Sequence, residues 1–138
     1  MLSAEGKFRY SRPDGGYRLV VDLGWDFAAY YRALMPKAMA VQAPRWKPHV
    51  TVVRVNKDKP KKLGAWGKYE GQTIRFNYDP YIRLDKIYYW LNVWCDDLAD
   101  IRKELGLPPR NRWTRPPSGD FKECFHTTIG NMKHIRLT

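Results

Sequence analysis

Several short segments of the chain carry the residue patterns typical of β-strands. Residues 73–78 alternate apolar and polar side chains, which predicts a strand with one buried face. Residues 49–55 are rich in β-branched side chains, and residues 86–95 are almost continuously apolar, so both indicate strands. We predict two further strands at residues 17–22, after a Gly-Gly turn signal, and at residues 124–129.

Helical patterns lie between these strands. Residues 27–35 follow an aspartate that can cap a helix and end before a proline. Residues 98–105 place apolar side chains at helical spacing, and a glycine follows them. A short helix is predicted at 63–69, and a loop rich in proline and arginine at 108–119. Strands mixed with helices predict a single α+β domain over residues 1–138.

Composition narrows the classes of partner. The 138 residues carry a formal net charge of +11, and 14% of them are aromatic. An excess of cations favours anionic partners, such as nucleic acids and phosphates, and a high aromatic content suits a surface that stacks bases. We expect no signal peptide and no membrane span, because no apolar run is long enough. Two cysteines are too few for a disulfide framework. We therefore expect a cytoplasmic protein.

The basic residues are concentrated in two stretches. Residues 45–86 and 102–138 are strongly basic, whereas residues 87–101 contain three aspartates and no basic side chain. The densest run, residues 57–62, is interpreted as a solvated loop, with a phosphate-contacting arm as the alternative.

Two of the three histidines occur in the same local pattern. His49 and Thr51 are separated by one residue on a predicted strand, and so are His126 and Thr128. Side chains two residues apart on a strand point to the same face. Each motif therefore presents an imidazole beside a hydroxyl, and two such strands together would frame a small site.

These groups suit phosphodiester chemistry. A neutral imidazole can accept a proton from an attacking hydroxyl, and an imidazolium can donate one to the leaving oxygen. Threonine hydroxyls can donate to the non-bridging oxygens, where negative charge grows in the transition state. This chemistry requires no metal ion and no cofactor, and we predict neither.

The paired motifs resemble the signature of the two-histidine (2H) phosphoesterases, and the resemblance covers almost the whole chain. It implies a bilobal fold, with two pseudo-symmetric antiparallel-sheet lobes, flanking helices and a central cleft. It also implies that His49 and His126 form the acid/base pair and that Thr51 and Thr128 hold the phosphate. Which histidine is the acid and which is the base does not follow from the sequence.

Within this family the short, basic and aromatic chain is most similar to the phage anti-CBASS nucleases. That resemblance implies cleavage of cyclic oligonucleotide immune signals in the host cytoplasm, with no obligatory protein partner. Two bases and two phosphates need stacking rings and cations. The candidate substrate-binding residues are Tyr10, Trp46, Lys47, Trp113 and Arg115.

Two alternatives remain open. The same site would serve an RNA-end 2′,3′-cyclic phosphodiesterase or an RNA ligase-like enzyme. A basic nucleotide- or RNA-binding module without catalysis would have the same charge and aromatic content, but it would not need two histidine–threonine pairs.

Overall fold

The computed structural model describes residues 1–109 and 124–133. Within these residues the chain forms seven β-strands and two α-helices. In chain order they are β1 (Leu2–Ser11), β2 (Arg18–Asp22), α1 (Trp25–Ala33), β3 (His49–Val53), β4 (Thr73–Tyr78), β5 (Arg83–Asp85), β6 (Tyr88–Trp94), α2 (Asp96–Glu104) and β7 (Cys124–Asn131). No helix in the described ranges is long and apolar enough to cross a membrane.

The strands form one antiparallel sheet in the order β4-β1-β2-β3-β7-β6-β5. An additional pairing of β4 with β6 closes six of these strands into a ring. Two of the ladders that join strands in the ring contain very few registered pairs. The β3–β7 ladder has a single registered pair, Val50 with Thr127, and the β4–β6 ladder has two. These short ladders separate β4-β1-β2-β3 from β7-β6-β5.

One face of the sheet carries the hydrophobic core. Alternate residues of the strands, such as Leu19, Val21, Val50 and Phe125, are fully buried there. Leu98 of α2 belongs to the same core, as do apolar residues of α1, so both helices cover this face. Successive residues on a strand point to opposite sides, so the opposite face carries the polar side chains of the motifs, together with apolar ones such as Val20, which pairs with Thr51 and is fully buried.

The α+β class is confirmed, and several details differ from the prediction. The sequence analysis did not predict β1 or β5. The helix predicted at 63–69 is a single 3₁₀ turn, Leu63–Ala65, followed by turns in which Gly67 has a φ of +85°. The described strands form one continuous ring, and a division into two lobes is not confirmed.

Candidate active site

The two histidine–threonine motifs lie on neighbouring strands. Val50 of β3 pairs with Thr127 of β7, and both side chains are completely buried on the core face. The residues on either side of this pair therefore point to the opposite face. Continuing the antiparallel register by one residue in each direction places His49 across from Thr128 and Thr51 across from His126.

We call these four residues the quartet, and the sheet face that carries them the site face. All four side chains are half-buried. Neighbouring strands are about 4.8 Å apart, and residues two apart along a strand are separated by about 7 Å. Each imidazole is thus set beside the hydroxyl on its own strand, and the second motif lies on the neighbouring strand of the same face. This spacing suits a group of the size of a phosphate.

His49 is held through one ring nitrogen. Its Nδ1 lies 2.7 Å from the backbone oxygen of Lys47. A carbonyl oxygen only accepts hydrogen bonds, so Nδ1 carries the proton and donates, and Nε2 is left for chemistry. Burial lowers the pKa of His49, and the contact with Lys47 opposes that shift.

His126 is more strongly perturbed. Burial is the main cause that lowers its pKa to about 4, and the positive charge of Arg54 and the neighbouring His49 lower it further. His126 is therefore neutral near pH 7. Of the two histidines, it has the environment of a proton acceptor.

Strand β2 flanks the quartet on one side. Asp22 is paired with His49 in the β2–β3 ladder, and its charge raises the pKa of that imidazole, although the net shift remains downward. Arg9 of β1 donates two hydrogen bonds to the Asp22 carboxylate, at 2.7 and 3.2 Å. This ion pair holds the carboxylate beside the site and offsets its charge.

Strand β6 flanks the quartet on the other side. Asn92 pairs with His126 and Trp90 pairs with Thr128 in the β6–β7 ladder, so both lie on the site face. The Trp90 indole Nε1 donates to Asn92 Oδ1 at 3.1 Å, and both residues are half-buried. They supply an amide and an aromatic ring next to the second motif.

A buried ion pair fixes the chain directly after the first motif. Asp58 Oδ2 accepts a hydrogen bond from the Arg54 backbone nitrogen at 2.8 Å. The same carboxylate binds the guanidinium of Arg102, which lies on α2 and is 0% exposed. Because β3 ends at Val53, this contact fixes the Arg54 backbone at the point where the strand ends.

The remaining predicted site residues do not join the quartet. Tyr10 pairs with Leu19 on the core side of β1–β2, and its ring packs edge-on against Trp66 at 4.9 Å. Trp46 is 63% exposed on the loop before β3, with the Arg45 guanidinium 5.1 Å from its ring centre. The Lys47 side chain is exposed, and it is the backbone oxygen of this residue that contacts His49.

Two predicted substrate-binding residues, Trp113 and Arg115, lie outside the described residues. The structure adds Asp22, Asn92 and Arg54 to the surroundings of the quartet. None of these three residues was predicted from the sequence, and only the strand order shows that Asp22 and Asn92 neighbour the motifs.

The side chains in and around the quartet that could bind a metal ion are imidazoles, hydroxyls, one amide and one carboxylate, and the carboxylate is already paired with Arg9. Across residues 1–109 and 124–133, no three histidine, cysteine, aspartate or glutamate side chains are grouped as metal ligands.

Comparisons with protein-family models, curated proteins and solved structures find no match to this chain.

Proposed function

We propose that this protein is a metal-independent phosphodiesterase that cleaves a nucleotide phosphodiester by histidine–histidine acid–base catalysis. The observation that carries the proposal is the pairing of Val50 with Thr127, which sets both His-x-Thr motifs side by side on one sheet face. Neither motif alone requires this arrangement. A phosphate placed among the four side chains would meet two imidazoles and two hydroxyls.

The proposed reaction assigns separate roles to the two histidines. Neutral His126 takes the proton of the attacking hydroxyl, whose oxygen forms a bond to phosphorus. The bond from phosphorus to the leaving oxygen breaks, and Nε2 of protonated His49 supplies the proton which that oxygen needs. Thr51 and Thr128 donate hydrogen bonds to the non-bridging oxygens. Asp22 beside His49 favours the protonated form of that imidazole.

The fold is consistent with the resemblance to 2H phosphoesterases in one respect. The short β3–β7 and β4–β6 ladders divide the ring into two parts, and each part carries one motif on a strand of the β3–β7 boundary. We propose that these parts correspond to the two lobes of that family. Cyclic oligonucleotides of the anti-CBASS type are the proposed substrates, and RNA ends with a 2′,3′-cyclic phosphate are the alternative.

Cleavage is expected to continue in excess EDTA, because imidazoles and hydroxyls suffice for this mechanism. The protein would be incubated with a panel of cyclic dinucleotides, cyclic trinucleotides, linear RNA and 2′,3′-cyclic-phosphate RNA ends, and the products identified by mass spectrometry. Cleavage of the cyclic dinucleotides or trinucleotides alone would favour a nuclease of the anti-CBASS type. Binding without cleavage of any substrate would favour a nucleotide-binding module, and rescue by Mg²⁺ after EDTA treatment would overturn the mechanism.

The pH profile of kcat/KM should be bell-shaped, with its maximum on the acidic side of pH 6.5. The rate rises as free His126 loses its proton around its pKa of about 4. It falls again as His49 loses the proton that it must donate, and the pKa of His49 is also below the ordinary 6.5. The two apparent pKa values of this profile belong to the interacting pair of histidines and not to either residue alone.

The profile of kcat should lie at higher pH, since a bound phosphate anion favours both imidazolium forms. Initial rates from pH 3.5 to 9 at low and at saturating substrate measure both profiles. A kcat/KM that increases up to pH 9 would contradict the assignment of the two histidines.

A further inference from the structure

One asparagine interrupts an otherwise apolar and aromatic strand beside the second motif. Asn92 lies in β6, where every other side chain is aromatic or aliphatic. Its neighbours Leu91 and Val93 are completely buried in the core, so Asn92 points to the site face. Asparagine is depleted in β-strands, so strand formation does not account for its presence here.

The β6–β7 ladder places this asparagine opposite a histidine of the quartet. Asn92 is the registered partner of His126, and Trp90 is the registered partner of Thr128. Residues directly opposite each other on antiparallel strands have Cβ atoms about 4.5–5.5 Å apart. An amide therefore lies next to the imidazole that we assign as the proton acceptor.

Trp90 determines which end of this amide is engaged. The Trp90 indole Nε1 lies 3.1 Å from Asn92 Oδ1. An indole nitrogen only donates hydrogen bonds, so the atom that it contacts is the amide oxygen and not the amide nitrogen. The NH2 group is the end of the Asn92 side chain that is left for another partner.

This NH2 group is open to a ligand. Among residues 1–109 and 124–133, Asn92 Nδ2 has no hydrogen-bond partner, and it is not enclosed away from solvent. Within the same part of the chain the His126 imidazole also forms no hydrogen bond. A donor and a base thus lie side by side on the site face without being bonded to each other.

A phosphate oxygen is the partner that suits this donor. With its oxygen engaged, the amide offers only N–H groups and needs an acceptor. The non-bridging oxygens of a phosphodiester are acceptors, and their negative charge grows in the transition state. A neutral donor stabilises that charge and leaves His126 able to accept a proton, whereas a cation in the same place would lower the pKa of His126 further.

We infer that Asn92 is a further catalytic residue of this site, whose NH2 group donates a hydrogen bond to a non-bridging oxygen of the phosphate beside His126. Trp90 is its positioning residue, because the indole holds the amide oxygen and so fixes the direction of the NH2 group. This inference rests on the proposed function, and it adds a third donor to Thr51 and Thr128.

Two variants of Asn92 separate this role from a structural one. Asn92→Asp keeps an oxygen for the Trp90 indole and removes the NH2 group, whereas Asn92→Ala removes both without adding charge. We expect each to slow single-turnover cleavage by about 10–10³-fold, as for loss of one donor to the phosphate. Rates are compared at the optimum pH of each variant, so that a change in the pKa of His126 does not enter.

Asn77→Ala is the matched control. Asn77 is an exposed asparagine of β4 on the same sheet face, where it pairs with Trp94 and not with the quartet. It should cleave at the wild-type rate. Thermal unfolding identifies any variant that is not folded. A folded Asn92→Asp with the wild-type rate, or an equal loss in Asn77→Ala, would overturn the inference.

The role of Trp90 is tested by a double-mutant cycle. Trp90→Phe keeps an aromatic ring and removes the indole N–H, so the Asn92 amide is free to turn. We expect a smaller loss of the single-turnover rate than in Asn92→Ala. The same change made in Asn92→Ala should have little further effect, because the two residues act as one unit. Fully additive losses would show that Trp90 does not act through Asn92.

Calorimetry separates this inference from the proposed function. A nucleoside 3′-monophosphate would be titrated into the wild type, Asn92→Ala and Asn77→Ala. If the wild type cleaves nothing but Asn92→Ala alone binds the phosphate about tenfold more weakly, the donor role of Asn92 stands and the proposed function fails. If the wild type and Asn92→Ala cleave equally fast, the role of Asn92 fails and the proposed function stands.

Discussion

Replacing His49 or His126 by alanine is expected to slow the cleavage step by about 10²–10⁴-fold, the usual contribution of a general acid or base. The double variant should lose less than the product of the two single effects, because the two residues act on the same transfer of protons. Thr51→Ala and Thr128→Ala should each lose less, about 10–10³-fold, since each removes one hydrogen bond to the phosphate. Single-turnover cleavage of a labelled cyclic dinucleotide measures these rates.

Thr127→Val is the matched control for the second motif. Thr127 lies between His126 and Thr128 but points into the core, where its hydroxyl has no hydrogen-bond partner among the described residues. The substitution keeps the shape of the side chain and removes an unsatisfied buried hydroxyl, so the protein should be as stable or more stable, with wild-type cleavage. Full cleavage rates in both histidine variants would show that the quartet is not the catalytic site.

Replacing Arg102 by methionine is expected to lower the free energy of unfolding by about 3–5 kcal/mol, because it leaves a buried carboxylate without a partner. Arg102 donates to the backbone oxygens of Val52 and Pro108 at 2.6 and 2.7 Å, and to both oxygens of Asp58. Arg102 thus joins α2 to the end of β3 and to the segment after β3 that contains Asp58. Urea unfolding followed by circular dichroism measures the change.

Lys103→Met provides the comparison, since Lys103 is the next residue on α2 and is exposed. It should change the free energy of unfolding by less than about 0.5 kcal/mol. Combining Arg102→Met with Asp58→Leu should recover part of the loss, because the second change removes the unpaired charge. An Arg102→Met protein within about 1 kcal/mol of the wild type would show that the ion pair is not structurally important.

Much of the fold follows from local sequence pattern. The alternation at 73–78 and the helical spacing at 98–105 both correspond to observed elements, β4 and α2. The first strand was not predicted, although charged residues alternate with Ala4, Gly6, Phe8 and Tyr10 along it. The closure of the ring was beyond prediction, since it depends on which strand edges meet and not on any one segment.

Only part of the site could be predicted, because each motif is local to one strand whereas the meeting of the two motifs depends on how the strands pair. The His-x-Thr spacing places an imidazole and a hydroxyl on one face of any strand, whichever strand is its neighbour. The register that sets the motifs side by side is a tertiary property. The run at 57–62 was interpreted as a solvated loop, and its lysines are exposed. Asp58 within that run is buried against Arg102. The local sequence does not indicate this, because Arg102 lies on a helix far along the chain.

The place of β7 in the sheet has a consequence for how the molecule acquires its site during folding. This strand is the last in the described chain, yet it lies between β3 and β6 and completes the ring. Before it inserts, β3 and β6 each present an open edge, and the first motif has no counterpart across the ladder. Pairing of segments so distant in sequence is a slow type of folding event. Closure of the sheet and assembly of the quartet are therefore one step, so a chain that has not completed its fold has no partly formed site.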